Sequence, residues 1–324
     1  GLGLSVVAFL LVMAGAAAQA QEAKKLPRIG VLSASTPSAV AGRIDVFRRG
    51  LRELNYVEGK NISIEYRYAE GRPDRLRELA GEVVNLRVDV IVTAGPALNP
   101  VVKRATASIP IVMANDSDPV GNGLIVSLAR PGGNITGLST LAPEISGKQL
   151  ELLKEIIPKL SRAAVIGTST EPGNAQLIKE ARQPAAALGV QLIVVDVKSR
   201  KDVEDGFQTA IKERADAVLL LSSAFLSTQR KQIALLAIKN RLPVMSPRLE
   251  YVEDGGLVTY GVNINDLFER AAIYVDKILK GARPADLPVE QPTKFEFVIT
   301  LKAAKQIGLT IPPNVLARAD KVIR

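Results

Sequence analysis

The sequence predicts an α/β protein made of two Rossmann-like lobes, each built on a parallel sheet. Three observations lead there. Short β-branched runs alternate with amphipathic helical stretches, the pattern that produces right-handed crossovers between parallel strands. The alternation breaks at Arg130-Pro131-Gly132-Gly133-Asn134 and then starts again. The 324 residues are also enough for two separate hydrophobic cores.

In the first half, Arg28-Ile29-Gly30-Val31-Leu32 reads as a buried strand bounded by Ser and Thr. Ser35 or Thr36 then caps a helix with Pro37 in its first turn, and Val40, Ile44, Phe47, Leu51 and Leu54 share one face of it. Gly59-Lys60-Asn61 turns the chain into a strand in which Ile62, Ile64 and Tyr66 alternate. A helix carrying Leu76, Leu79, Val83 and Leu86 precedes a strand over 88–93. A helix near 96–105, a strand over 109–113, a helix near 120–129 and an extended stretch at 135–139 follow.

The second half opens with a helix carrying Leu150, Leu153 and Ile157. Strands are expected over 162–167, 190–195, 217–221 and 242–245. Between them lie helices near 174–188, 201–214 and 227–240, the second presenting Val203, Phe207 and Ile211 on one side. A strand at 256–260, a helix over 266–280, a Pro-rich extended segment at 284–294, a strand at 295–300 and a short helix at 301–307 complete the reading.

Residues 1–20 contain no charged side chain, and the apolar run from Val6 to Ala18 ends in Ala18-Gln19-Ala20. This is the pattern of a secretory signal peptide with its small-residue cleavage site, preceded by a few residues not in the sequence. The Ala/Gly/Gln end makes a poor second half for a membrane-spanning helix. Cleavage after Ala20 leaves 304 of the 324 residues, starting near Gln21. With no cysteine there is no lipid-modified N-terminus and no disulfide, so the expected product is a soluble periplasmic protein held together by packing alone.

Composition narrows the chemistry. Histidine and cysteine are both absent, which removes Ser-His-Asp and Cys-His catalysis and the usual zinc sites. No Walker-type loop, G-x-S-x-G or G-x-G-x-x-G is present, so no catalytic residue, metal or cofactor is expected. The net charge of +9 comes from Lys and Arg interleaved with Glu and Asp, as in Asp74-Arg75-Leu76-Arg77-Glu78. That is a solvated helix face rather than a nucleic-acid surface.

In open parallel sheets a ligand binds beyond the carboxyl ends of the strands. The loops there are rich in hydroxyls, amides and helix N-termini, which suit a small ligand bearing a carboxylate. They supply Ser33, Ser35, Thr93, Gly95 and Asp116 from the first half, and Thr168, Asn174 and Ser222 from the second. The same residue types cap helices with no ligand present, so each has that second reading. Aromatic residues make up only 4% of the chain. Of these, Phe225, Tyr251 and Tyr260 fall beside strand ends in the second half, where they would stack on a ligand ring or pack at the cleft edge. Arg248 is a further candidate for a charge-assisted bond to a carboxylate.

Several motifs resemble one family: Tyr56-Val57-Glu58-Gly59-Lys60-Asn61, Asp118-Pro119-Val120-Gly121, Ser127-Leu128-Ala129-Arg130-Pro131-Gly132-Gly133-Asn134-Ile135-Thr136-Gly137, and Leu287-Pro288-Val289-Glu290-Gln291-Pro292 through Glu296. The sequence is similar over essentially the whole mature chain to ABC-transporter substrate-binding proteins of the tryptophan/tyrosine-binding type. The resemblance implies the type I periplasmic binding protein fold, with three hinge crossings near Leu141, Val262 and Gln291. Lobe one would then be 26–141 plus 263–291, and lobe two 142–262 plus 292–324. It also implies a monomer that captures an aromatic amino acid or related aromatic carboxylate and delivers it to the permease and ATPase subunits of an importer. A branched-chain amino acid binding protein, or a lactose-repressor-type regulator without its DNA-binding domain, is the alternative.

Overall fold

The computed structural model describes residues 26–140, 142–171, 173–292 and 295–324. The expected signal segment and the crossing at Leu141 lie outside them. In the first lobe the order is β1 (Arg28–Ser33), α1 (Pro37–Glu53), β2 (Ser63–Tyr68), α2 (Leu76–Asn85), β3 (Val90–Ala94), α3 (Asn99–Ala105), β4 (Ile111–Asp116) and β5 (Ile135–Ser139). The strands form one parallel sheet in the order β2-β1-β3-β4-β5. Thr36 caps α1 by accepting the Ala39 N–H at 3.3 Å, with Pro37 at the first helical position.

The chain then crosses to α4 (Ala142–Ile156), β6 (Arg162–Gly167), α5 (Asn174–Ala187), β7 (Gln191–Asp196), α6 (Arg200–Lys212) and β8 (Ala217–Leu220). It continues through α7 (Ala224–Thr228), α8 (Arg230–Asn240), β9 (Val244–Ser246), α9 (Glu250–Glu253) and β10 (Val258–Val262). Helix α10 (Ile264–Leu279) returns to the first lobe. There Phe268, Ala271 and Ala272 bury against Phe47 and Leu51 of α1. The two helices approach so closely that a Cβ on Gly50 would lie 2.9 Å from the Glu269 carbonyl oxygen. Past residue 290 the chain re-enters the second lobe as β11 (Phe295–Thr300), α11 (Leu301–Ile307), α12 (Pro313–Leu316) and β12 (Lys321–Ile323).

Each sheet is covered on both faces, which is why its strands read as continuous apolar runs. In the first lobe α1 and α10 cover one face, while Leu79 and Val83 of α2, Val102 of α3 and Leu98 just before α3 cover the other. In the second, α4, α5 and α11 lie opposite α6 and α8.

Five expectations need correction. The second lobe's sheet, β12-β11-β10-β9-β8-β6-β7, is not wholly parallel, because β10 and β11 run antiparallel. The chain leaves this lobe at the end of β10 and re-enters it at the start of β11, so the two strands meet the crossing at adjoining ends. No helix forms over 120–129, where the chain makes successive turns. There Asp118 Oδ1 accepts the Gly121 N–H and Asp116 Oδ1 accepts the Asn122 amide, local bonds that compete with a helical ladder. The helix expected over 227–240 is broken at Gln229 into α7 and α8. On α6 the buried face is Val203, Gly206, Phe207 and Ala210, leaving Ile211 41% exposed. The strand expected at 256–260 begins two residues later, and α9, α12 and β12 were not anticipated.

Candidate functional site

The carboxyl ends of β1, β3 and β4 face those of β6, β8 and β9 across the gap between the lobes, and the loops that follow these strands meet there. One hollow of about 350 Å³, counting its open mouth, is lined from the first lobe by Ala34, Ser35, Gly95 and Asn115. From the second it is lined by Glu171, Ser222, Ser223 and Arg248. A second hollow of about 340 Å³ shares Ala34, Ala97, Glu171 and Ala224 with the first. It adds an apolar end made of Pro73, Leu76 and Phe225.

The lobes touch at several points. Arg43 of α1 donates from Nε and Nη2 to Glu250 Oε1 of α9, at 2.8 and 2.5 Å. Ser35 Oγ reaches the Ala224 carbonyl at 3.5 Å. Gly173, at φ +88°, lies so close to the first lobe that a Cβ there would sit 2.7 Å from Ser117 Oγ. Only glycine combines that backbone conformation with that approach.

Charge inside the gap is concentrated on a few groups. Glu171 is 8% exposed and accepts the Ala224 N–H at 3.0 Å. Burial pushes its carboxyl up to about 7, against the pull of that N–H and of the Arg248 guanidinium. Burial lowers Arg248 to about 10, and neighbouring Arg43 adds to the effect. Arg248 Nη2 donates to Ser222 Oγ at 2.6 Å, while its buried Nε has no partner among the described residues. Burial opposes ionisation of Glu250 too, but Arg43 and Arg248 outweigh it and hold that carboxyl below its usual range.

Of the residues singled out from sequence, Ser35, Gly95, Thr168, Ser222, Phe225 and Arg248 line the two hollows. Tyr251 borders an adjoining pocket with Arg43, Ser222 and Arg248. It is only 1% exposed, with its ring against Gly256. The others serve the scaffold. Ser33 Oγ accepts the Ser35 N–H, and the Thr93 hydroxyl donates to Asn99 Oδ1. Asn99 in turn donates to Asp116 at 2.6 Å. Asp116 is fully buried and accepts from Asn99, Asn122 and the Asp118 N–H; burial raises it to about 6. Asn174 Nδ2 donates to the Thr168 carbonyl. Tyr260 stacks on Phe295 at 5.9 Å and meets Phe297 edge-on, beside the crossing and away from both hollows.

The sequence reading missed Glu171, Arg43 and Glu250. Glu171 did carry a signal, as the one charged side chain among the small residues from Thr168 to Asn174. Among the described residues no group of His, Cys, Asp and Glu could hold a metal ion, and no helix is long and apolar enough to cross a membrane.

Comparison with known proteins agrees with this arrangement. A tyrosine-binding protein of Clostridioides difficile (strain R20291) is 24% identical over 285 residues, 87% of this chain and 82% of the relative. The crystal structure of a conserved domain protein from Vibrio cholerae is 31% identical, with a TM-score of 0.86 over 92% of this chain and 100% of that one. A Streptococcus pneumoniae ABC domain in complex with L-Trp is 25% identical, with a TM-score of 0.84 over 92% of this chain and 99% of that one. The match to the ABC transporter substrate binding protein family runs from residue 29 to residue 323, so the chain belongs to that family.

Proposed function

We propose that the protein is the solute-capturing component of an ABC importer and that it takes an aromatic amino acid or related aromatic carboxylate. The observation that carries this reading is the gap between the lobes. Its polar end holds Arg248 and Glu171, neither in an ion pair among the described residues, and it adjoins an apolar end containing Phe225, Leu76 and Pro73. The tyrosine-binding relative and the L-Trp complex support the same ligand class. The chain operates outside the cytoplasm after loss of residues 1–20, as a monomer that hands its ligand to permease and ATPase subunits. Its lobes, 26–141 with 263–291 and 142–262 with 292–324, rotate about the three crossings to enclose the ligand.

A thermal-shift screen followed by titration calorimetry tests the ligand. Aromatic amino acids and aromatic acids are compared with branched-chain amino acids and sugars, and a ligand of the folded state raises the melting temperature. Binding to an aromatic compound, weakened by Phe225→Ala more than by the exposed change Lys201→Ala, is the expected result. Binding confined to sugars or branched-chain amino acids overturns the ligand class.

A further inference from the structure

We propose that Glu171 and Arg248 together read an α-amino acid as a zwitterion, Glu171 taking its ammonium and Arg248 its carboxylate, so that the deaminated acid is rejected. This narrows the ligand class proposed above and rests on that reading of the gap.

The argument is a balance of charge in a site with little water. Five charged side chains border the polar end and the pocket beside it. Arg43 and Glu250 already satisfy each other across the lobes, and Arg230 pairs with Asp254. The other two belong to no ion pair within 4.0 Å among the described residues, although both are buried where an unpaired charge is costly. Glu171 accepts one N–H from its own lobe and faces the Ala97 N–H of the other, while an ionised carboxylate offers about four acceptor sites. Arg248 holds Ser222 through one terminal nitrogen and keeps a buried Nε–H with no acceptor among the described residues.

Asp116 is the other buried carboxylate nearby. It is already engaged by Asn99, Asn122 and the Asp118 N–H, and borders neither hollow. Glu171 is therefore the carboxylate with capacity to spare. A ligand carrying both charges satisfies both residues. A deaminated acid satisfies Arg248 but adds negative charge beside Glu171, and a decarboxylated amine leaves Arg248 without an acceptor. The apolar end at Pro73, Leu76 and Phe225 is left for the side chain.

Calorimetry on the mature chain with three probes tests this: L-tyrosine, 3-(4-hydroxyphenyl)propanoate and tyramine. The wild type is expected to prefer the amino acid over either fragment by on the order of 100-fold. Glu171→Gln should shrink the preference over the propanoate to within about tenfold, with the propanoate itself holding or gaining affinity. Glu171→Asp, which keeps the charge, should fall between. Arg248→Met should shrink the preference over tyramine instead.

Equal weakening of amino acid and propanoate by Glu171→Gln overturns the proposal, and so does a wild type indifferent to the amine. If tyrosine fails to bind but leucine does, the same comparison with 4-methylpentanoate and 3-methylbutylamine decides. Charge discrimination there keeps the zwitterion reading while the aromatic one falls. Binding only to compounds without an amine overturns both. The wild-type comparison needs no variant, so poor folding of a mutant does not leave the question open.

Discussion

Breaking the ion pair between Arg43 and Glu250 should weaken ligand binding without unfolding either lobe. The pair joins α1 of one lobe to α9 of the other, 207 residues apart in sequence. Its two side chains are 11% and 25% exposed, between the surface and buried limits. Surface pairs contribute about 0.2–1 kcal/mol, and removing one partner of a fully buried pair costs about 3–5 kcal/mol. A coupling of about 1–3 kcal/mol is expected here, corresponding to an increase in Kd of about 5- to 150-fold. That energy is available only while the lobes are together, so it belongs to closure and to the dissociation rate. Removing Glu250 alone also changes the surroundings of Arg248, so the measurement should be a double-mutant cycle with Arg43→Met and Glu250→Gln. Titration calorimetry gives the coupling, and the melting temperature should stay within about 2 °C of wild type, since each variant leaves both lobe cores untouched. A coupling below about 0.5 kcal/mol, or a loss of stability matching the loss of affinity, would refute the reasoning.

Gly173→Ala places a Cβ against Ser117 Oγ and forces a left-handed backbone on alanine, which costs about 1–2 kcal/mol before any clash. Small-angle scattering with saturating ligand should show it remaining more extended than wild type. Tyr251→Ala should cost about 3–5 kcal/mol in urea denaturation, because the ring is fully buried in the second lobe's core. The raised Glu171 carboxyl predicts a pH effect in protein without added ligand. Its contribution to the form with the lobes together is complete below the ordinary glutamate value and is lost as pH rises through about 7. Melting temperature should therefore fall between about pH 5 and 7.5, and Glu171→Gln should flatten that slope.

Hydrophobic patterning was enough to read most of the secondary structure, because strands buried on both faces and amphipathic helices leave strong periodic signals. The errors have local causes. On α6 the reading favoured Ile211 over Ala210 for hydropathy, although the stripe that packs continues from Gly206 and Phe207 to the smaller residue. At 120–129 the apolar residues suggested a helix, but Asp116 and Asp118 fold the segment through their carboxylates. In the gap, small polar residues were found by their position after strands. Whether each faces the ligand or its own loop depends on side-chain direction, and so Ser35 lines a hollow while Ser33 braces its neighbour. Arg248 was found by its place after a strand, whereas the juxtaposition of Arg248 and Glu171 in one hollow arises only when distant loops meet.

The route of the chain has a consequence for how the molecule can be divided. The second lobe needs β11 and β12, which follow α10, and the first lobe's core needs α10, which follows nearly all of the second. Neither lobe is therefore a contiguous module that could be excised, swapped or expressed alone by cutting the gene once. A chain stopped near residue 262 would leave both halves unfinished, each exposing the apolar face its late segment should cover. Such a fragment offers proteases two targets rather than one, so incomplete copies should be cleared as a whole instead of persisting as a half-functional lobe.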